Sequence, residues 1–206
     1  MTPLFVDLHG KKVVIFGGGA VGARKAGFFA GETGVTVFSR SFDPSFSEID
    51  AECREVDLSA LGDRDLARLL EGAAIAVAAT QERELNDRIG RLAKGAGILF
   101  NNADGESGDL LIPSVVKGKN YALAIGTGGV SPAISRYLRE HIQRELPCLD
   151  RMIALQGRLR NEIRRTEPSQ EKRRELLYRV LEDREVWNLL PHGEGAAWNL
   201  VKERYL

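Results

Sequence analysis

Residues 13–27, VVIFGGGAVGARKAG, constrain the fold more than any other stretch of this chain. A β-branched run meets three glycines, and an alanine-rich, charged segment follows at once. Gly17, Gly19 and Gly22 keep a G-x-G-x-x-G spacing between an expected strand and an expected helix. Each glycine then has a physical task. The first permits a tight turn, the second clears the path of a pyrophosphate, and the third lets the helix pack close to the strand. The free N–H groups and dipole of the helix start favour an anion. A glycine turn without any ligand would read the same locally, so the downstream elements have to arbitrate.

Those elements alternate. GVTVFSR reads as a second strand, DLARLLEG as a helix with Leu66, Leu69 and Leu70 on one face, and AAIAVAAT as a third strand. QERELNDRIGRLAKGAG is an amphipathic helix and ILFNNA a fourth strand. The first helix, AVGARKAGFFAGET, is expected to stop near Gly34. Nearly continuous apolar strands alternating with helices indicate an α/β fold with a parallel sheet covered on both faces. Residues 110–112 should extend or cap the sheet edge, because Pro113 cannot donate to a ladder. Two extended pieces around Gly118-Lys119-Asn120 follow. SPAISRYLREHIQREL is then a helix with Ser131 as N-cap, Pro132 in its first turn and Pro147 at its end. From residue 150 the chain is helical and charged, with eight basic and three acidic residues between Arg151 and Arg174. Ile153, Leu155, Leu159 and Ile163 give a partial apolar stripe, and a further helix spans about residues 169–181.

The bulk composition excludes several classes. Lys+Arg and Asp+Glu both number 29 in 206 residues, which argues for no nucleic-acid or membrane-surface partner. Cys53 and Cys148 lie far apart, and the three histidines are scattered, so neither a disulfide framework nor a metal centre is expected. No stretch reaches the roughly 20 apolar residues of a membrane span. The start MTPLFVDLHGKK lacks the form of a signal peptide, so a cytoplasmic location is expected.

The strand tips carry the candidate chemistry. The second strand ends in Ser39 and Arg40, where an acid usually bonds the ribose hydroxyls. An arginine there can favour a 2′-phosphate, stack on adenine or face solvent. Thr80 ends the third strand, at the crevice or as a plain helix N-cap. Asp104 follows the fourth strand, either as a general base beside a nicotinamide or as the first residue of an Asp-Gly turn. Asn101 and Asn102 share that ambiguity. GTGGVSPAISR, with Gly126, Gly128, Gly129 and Ser131 followed by Arg136 and Arg139, forms either an anion-binding concavity or a capped helix after a flexible loop.

Taken in order, FGGGAVGARKA, AVAATQERELN, FNNADGESGDLLIPSVV and AIGTGGVSPAISRYLRE resemble the precorrin-2 dehydrogenase and sirohydrochlorin ferrochelatase family, the N-terminal module of siroheme synthase. The resemblance runs from about Leu4 to Arg160 and more loosely to the end. It implies a Rossmann-type domain over residues 1–112, a short dimerisation segment over 113–149 and a helical C-terminal domain over 150–206, paired as a homodimer. It implies NAD-dependent oxidation of precorrin-2 to sirohydrochlorin and, in some members, insertion of ferrous iron. It further implies Asp104 as the catalytic residue and Gly17, Gly18, Gly19, Ala20 and Val21 as cofactor contacts; the Ser39-Arg40 strand end leaves NAD against NADP open, and the resemblance favours NAD. With these stand Gly22, Ser39, Arg40 and Thr80 for the cofactor and Asn101, Gly128, Ser131 and Arg136 for the substrate. The basic bias of 151–174 suits a substrate rich in carboxylates. The methyltransferase half of fused synthases is not in this sequence, so another protein is expected to supply precorrin-2. Two competing readings remain. A regulatory NAD-sensing module would need no crevice carboxylate, and a chelatase without redox chemistry would need no glycine loop.

Overall fold

A computed structural model describes residues 2–104 and 108–206, in two compact units, Met1–Ile112 and Pro113–Leu206.

The first unit is built on a five-stranded sheet. Its strands are β1 (Lys12–Phe16), β2 (Gly34–Ser39), β3 (Glu52–Glu55), β4 (Ile75–Ala78) and β5 (Leu99–Asn102). They lie in the order β3-β2-β1-β4-β5 and every pairing is parallel. The chain winds outward from β1 in one direction, then crosses back and winds in the other. That reversal puts a topological switch point between β1 and β4, and a crevice at their carboxyl ends.

Period-two alternation divides the core. Val14 and Phe16 point to one face and Val13 and Ile15 to the other, and all four are fully buried. Helices α2 (Asp63–Leu69) and α3 (Arg83–Gly95) cover the first face through Leu66, Leu85, Ile89 and Ala93. Helix α1 (Ala20–Phe29) covers the second through Ala23, Ala26 and Phe29. This helix ends with Ala30 as C-cap, earlier than the expected stop near Gly34, because Gly34 already opens β2. The strand β3, with sequence ECRE, escapes a periodicity reading. All four of its residues are exposed, and backbone pairing to Thr36–Ser39 defines it. Residues 110–112 form no strand. Instead the Leu110 N–H donates to the Phe100 carbonyl at 3.0 Å, and Leu110 and Ile112 pack against the α1 side of the core.

In the second unit β6 (Ser114–Lys117) and β7 (Ala122–Ile125) form an antiparallel hairpin. Helices α4 (Pro132–Glu145), α5 (Leu149–Thr166), α6 (Gln170–Glu182), α7 (Arg184–Leu189) and α8 (Glu194–Tyr205) follow. The buried stripe of α5 is Met152, Leu155, Leu159 and Ile163, with Met152 in the place expected of Ile153. It packs with Val180, Val186, Leu190, Ala197, Trp198 and Val201. Asp150, in the first turn of α5, accepts the N–H groups of Lys119 and Asn120 at 2.9 and 2.8 Å, which ties the hairpin turn to the helix.

Candidate functional site

The carboxyl ends of β1, β2 and β4 open into a cleft of about 530 Å³. Gly17, Gly18 and Gly19 form its floor, Ser39, Arg40 and Ser41 one wall, and Ala79, Thr80, Gln81 and Glu82 the opposite one. Val56, Asp57, Leu58 and Ser59, which follow β3, close the end beyond β2. The loop is fixed by backbone bonds. The Gly17 N–H donates to Phe38 O at 2.9 Å, and the Asp43 N–H donates to Gly18 O at 2.7 Å.

The glycines divide into two kinds. Gly17 holds φ +114°, and a Cβ there would strike the Ala79 carbonyl. A Cβ on Gly18 would strike the Ser41 carbonyl, and one on Gly22 the Gly17 carbonyl. These three are required by packing. A Cβ on Gly19 would meet nothing within 4 Å. No side chain caps α1, whose N-cap is Gly19, and its first turn carries no acid. The open space at Gly19 and the uncapped helix start together suit a diphosphate. Ala20 and Val21 are exposed on that first turn, while Gly22 is buried beneath the loop.

Thr80 is not the N-cap of α3. That position is Glu82, which makes no side-chain cap bond. The Thr80 hydroxyl donates to Asn86 Oδ1 at 2.6 Å and accepts from the Glu82 N–H at 3.2 Å. Asn86 is completely buried and returns a bond from Nδ2 to Thr80 O at 3.0 Å. Asn86, Asp57 and Glu82 had no role in the sequence reading. Asn86 alone left a trace there, as a polar residue on the core-facing side of an amphipathic helix.

Asp104 lies one strand beyond the cleft. Ala78 pairs with Asn102, and the Ala103 N–H donates to Ala78 O at 2.8 Å, so Asp104 emerges at the same carboxyl edge. Its side chain is exposed, and its N–H donates to Asn102 Oδ1 at 3.2 Å. It is not among the residues lining the cleft. The Asp-Gly turn considered for residues 104–105 extends outside the described residues.

Three comparisons bear on this geometry. A family model for NAD(P)-binding domains matches residues 4–114. Precorrin-2 dehydrogenase of Methanosarcina barkeri is 39% identical over 191 residues, covering 90% of this chain and 85% of that protein. The chain belongs to the precorrin-2 dehydrogenase family. Siroheme synthase 3 of Aeromonas hydrophila is 31% identical over 205 residues, which are 98% of this chain but 43% of that protein. The chain therefore spans less than half the length of this relative. Among solved structures SirC, a precorrin-2 dehydrogenase, superposes with a TM-score of 0.70 over 98% of this chain and all of that one, at 21% identity. The Rossmann-type sheet followed by helices is thus a family fold.

The residues taken for substrate contacts fall into different settings. Asn101 is 3% exposed, and its Nδ2 donates to Leu110 O at 2.8 Å. Its Oδ1 is buried and has no hydrogen-bond partner among the described residues. In the second unit Gly128 and Gly129 hold φ +63° and +85°. Ser131 caps α4 by accepting from the Ile134 N–H, and its own N–H donates to Thr127 Oγ1 at 3.2 Å. Arg136 and Arg139 both pair with Glu140, at 2.7 and 3.6 Å. The basic bias of 151–174 is partly internal to the fold. Arg151 donates to Leu190 O, Arg158 stacks 4.1 Å over Trp198, Arg173 donates to Glu167 O and Pro168 O, and Arg174 lies over Tyr178. Of the eight basic residues seven are exposed, and Arg173 is half-buried.

Among the described residues no helix is long and apolar enough to cross a membrane.

Proposed function

We propose that this protein oxidises precorrin-2 to sirohydrochlorin with NAD in the cleft at Gly17–Gly22. The observation that carries the reading is the open space at Gly19 against an uncapped helix start, within a chain of this family. When bound, the oxidised nicotinamide supplies a hydride acceptor. The chain's own part is to position and to move a proton. Backbone N–H groups of Ala20, Val21 and Gly22, at the uncapped start of α1, would hold the diphosphate, and the Asn86-locked Thr80 loop forms a wall of the same cleft. Asp104, exposed at the same edge of the sheet, accepts the proton that leaves the macrocycle, directly or through water.

Gly128, Ser131 and Arg136 present a positive-φ turn, a helix start and a guanidinium to a substrate rich in carboxylates. Residues 113–149 mediate a homodimer. In support, Ile134, Tyr137 and Leu138 are exposed along α4, and Val130 is exposed in the turn before it. Ferrous iron is a second substrate, inserted into the product, and the protein works in the cytoplasm.

One experiment tests the reading. The protein is incubated with precorrin-2 and NAD, then given ferrous iron, while the visible spectrum is followed. The reading expects sirohydrochlorin only when NAD is present, and siroheme after iron is added. NAD binding without any change in the macrocycle spectrum would instead support a sensing module, and siroheme formed from supplied sirohydrochlorin while precorrin-2 stays unchanged with NAD would contradict the redox step.

A further inference from the structure

Of the fifteen residues lining the cleft, three carry formal charge: Arg40, Asp57 and Glu82. Arg40 stands where an acid usually bonds the ribose, and by itself it would invite a 2′-phosphate. It does not stand by itself. Glu82 Oε1 lies 3.9 Å from its guanidinium. The Val56 N–H donates to Ser39 O, which brings the residue after β3 beside the one from which Arg40 emerges. Asp57 is held in place there by the Ser59 N–H at 3.1 Å and the Ser59 hydroxyl at 2.6 Å.

We propose that Asp57 and Glu82 are the residues that select an unphosphorylated adenine ribose, and so make the cleft a site for NAD rather than NADP. This rests on the dinucleotide reading given above. The acid absent from the end of β2 is supplied from the ends of β3 and β4. Two carboxylates against one guanidinium leave this end of the cleft with a net negative charge. A 2′-phosphate would add about two more negative charges at neutral pH, whereas free ribose hydroxyls are neutral and can donate to a carboxylate. The ion pair itself is not what matters. Its side chains are 66% and 49% exposed, and such pairs contribute little stability. The charge count decides. In the same sense, hydrogen bonds from Ser59, with a lesser contribution from Arg40, hold the Asp57 carboxyl below its usual range, so it is ionised wherever the cofactor binds.

The test is calorimetric titration of the full chain with NAD and with NADP, for wild type, Asp57→Asn, Glu82→Gln and the double variant. At about 50 mM salt, where screening is weak, the wild type should bind NAD at least about tenfold more tightly than NADP. Each substitution should move the ratio toward NADP by about threefold and the pair by about tenfold, as expected for one or two unit charges removed near a phosphate in a wet cleft. Raising the salt to about 0.5 M should shrink these shifts. Asn keeps an oxygen for the Ser59 N–H, and Glu82 makes no cap bond, so Glu82→Gln keeps the test decisive if Asp57→Asn folds poorly. A wild type that prefers NADP, or variants whose ratio stays within about twofold of it, would overturn the selection role while leaving dinucleotide binding intact. A wild type that binds neither dinucleotide would overturn the parent reading and this one with it.

Discussion

Thr80 and Asn86 bond each other in both directions. The threonine hydroxyl reaches Asn86 Oδ1 at 2.6 Å, and Asn86 Nδ2 reaches the Thr80 carbonyl at 3.0 Å. Asn86 is fully buried, so both of its polar atoms are desolvated, and here both are satisfied. The pair fixes the turn that forms one wall of the cleft. Replacing Asn86 with Leu removes these two bonds and a third, from the Thr80 N–H to Asn86 Oδ1 at 3.2 Å, and strands the Thr80 N–H and carbonyl. A loss of about 2 kcal/mol of stability is expected, together with weaker NAD binding. Urea unfolding and NAD titration check the two effects. Restoring the amide with Gln should recover less than half of either, because the added methylene misplaces it.

Asp104 sits at the sheet edge without lining the cofactor cleft. Its substitution should therefore separate binding from chemistry. Asp104→Ala should lower turnover of precorrin-2 by about a hundredfold or more and leave the NAD dissociation constant close to that of the wild type. Steady-state rates and titration on one preparation test this. Near wild-type sirohydrochlorin formation would remove Asp104 from the reaction.

Asp150 predicts a pH dependence in the second unit. N–H groups of Lys119 and Asn120 hold its carboxyl below the usual carboxylate range. A carboxylate depressed in the folded state contributes stability above its unfolded pKa and loses it as pH falls through the folded one. Wild type should therefore lose its advantage over Asp150→Asn as the solution is taken below about pH 4. Thermal melts of both proteins across that range check the sign. An advantage that persists or grows on acidification would contradict the assignment.

The parts of the fold legible in the sequence are those whose burial leaves a pattern. The apolar runs of β1, β2, β4 and β5, the amphipathic α3 and the glycine spacing all follow from side chains that must face a core or avoid a clash. The strand β3 left no such mark, because Glu52, Cys53, Arg54 and Glu55 are all exposed and only the ladder to β2 makes them a strand. The same blindness hid half of the site. Asp57 and Glu82 reach the cleft through turns after β3 and β4, and nothing in the local residues says which way those turns aim. Asn101 shows another limit: its strand-tip place suggested a contact, but no local residue announced that it is buried with Nδ2 donating to Leu110 O. In the C-terminal helices, charge counting could not show that four of the arginines also meet aromatic rings or carbonyls of their own unit.

Gly22 and Gly19 make opposite predictions from one loop. A side chain at Gly22 drives into the Gly17 carbonyl, so Gly22→Asp should lower the melting temperature and abolish NAD binding together. At Gly19 the backbone is extended, at φ −75° and ψ −178°, and the space is free.

The most direct measurement is therefore a paired melt and NAD titration of Gly19→Ala. The melting temperature should stay within about 2 °C of the wild type, while NAD affinity falls about tenfold or more, because the new methyl occupies the diphosphate's place. Unchanged affinity in a protein with an unchanged melt would contradict the claim that this loop holds the dinucleotide.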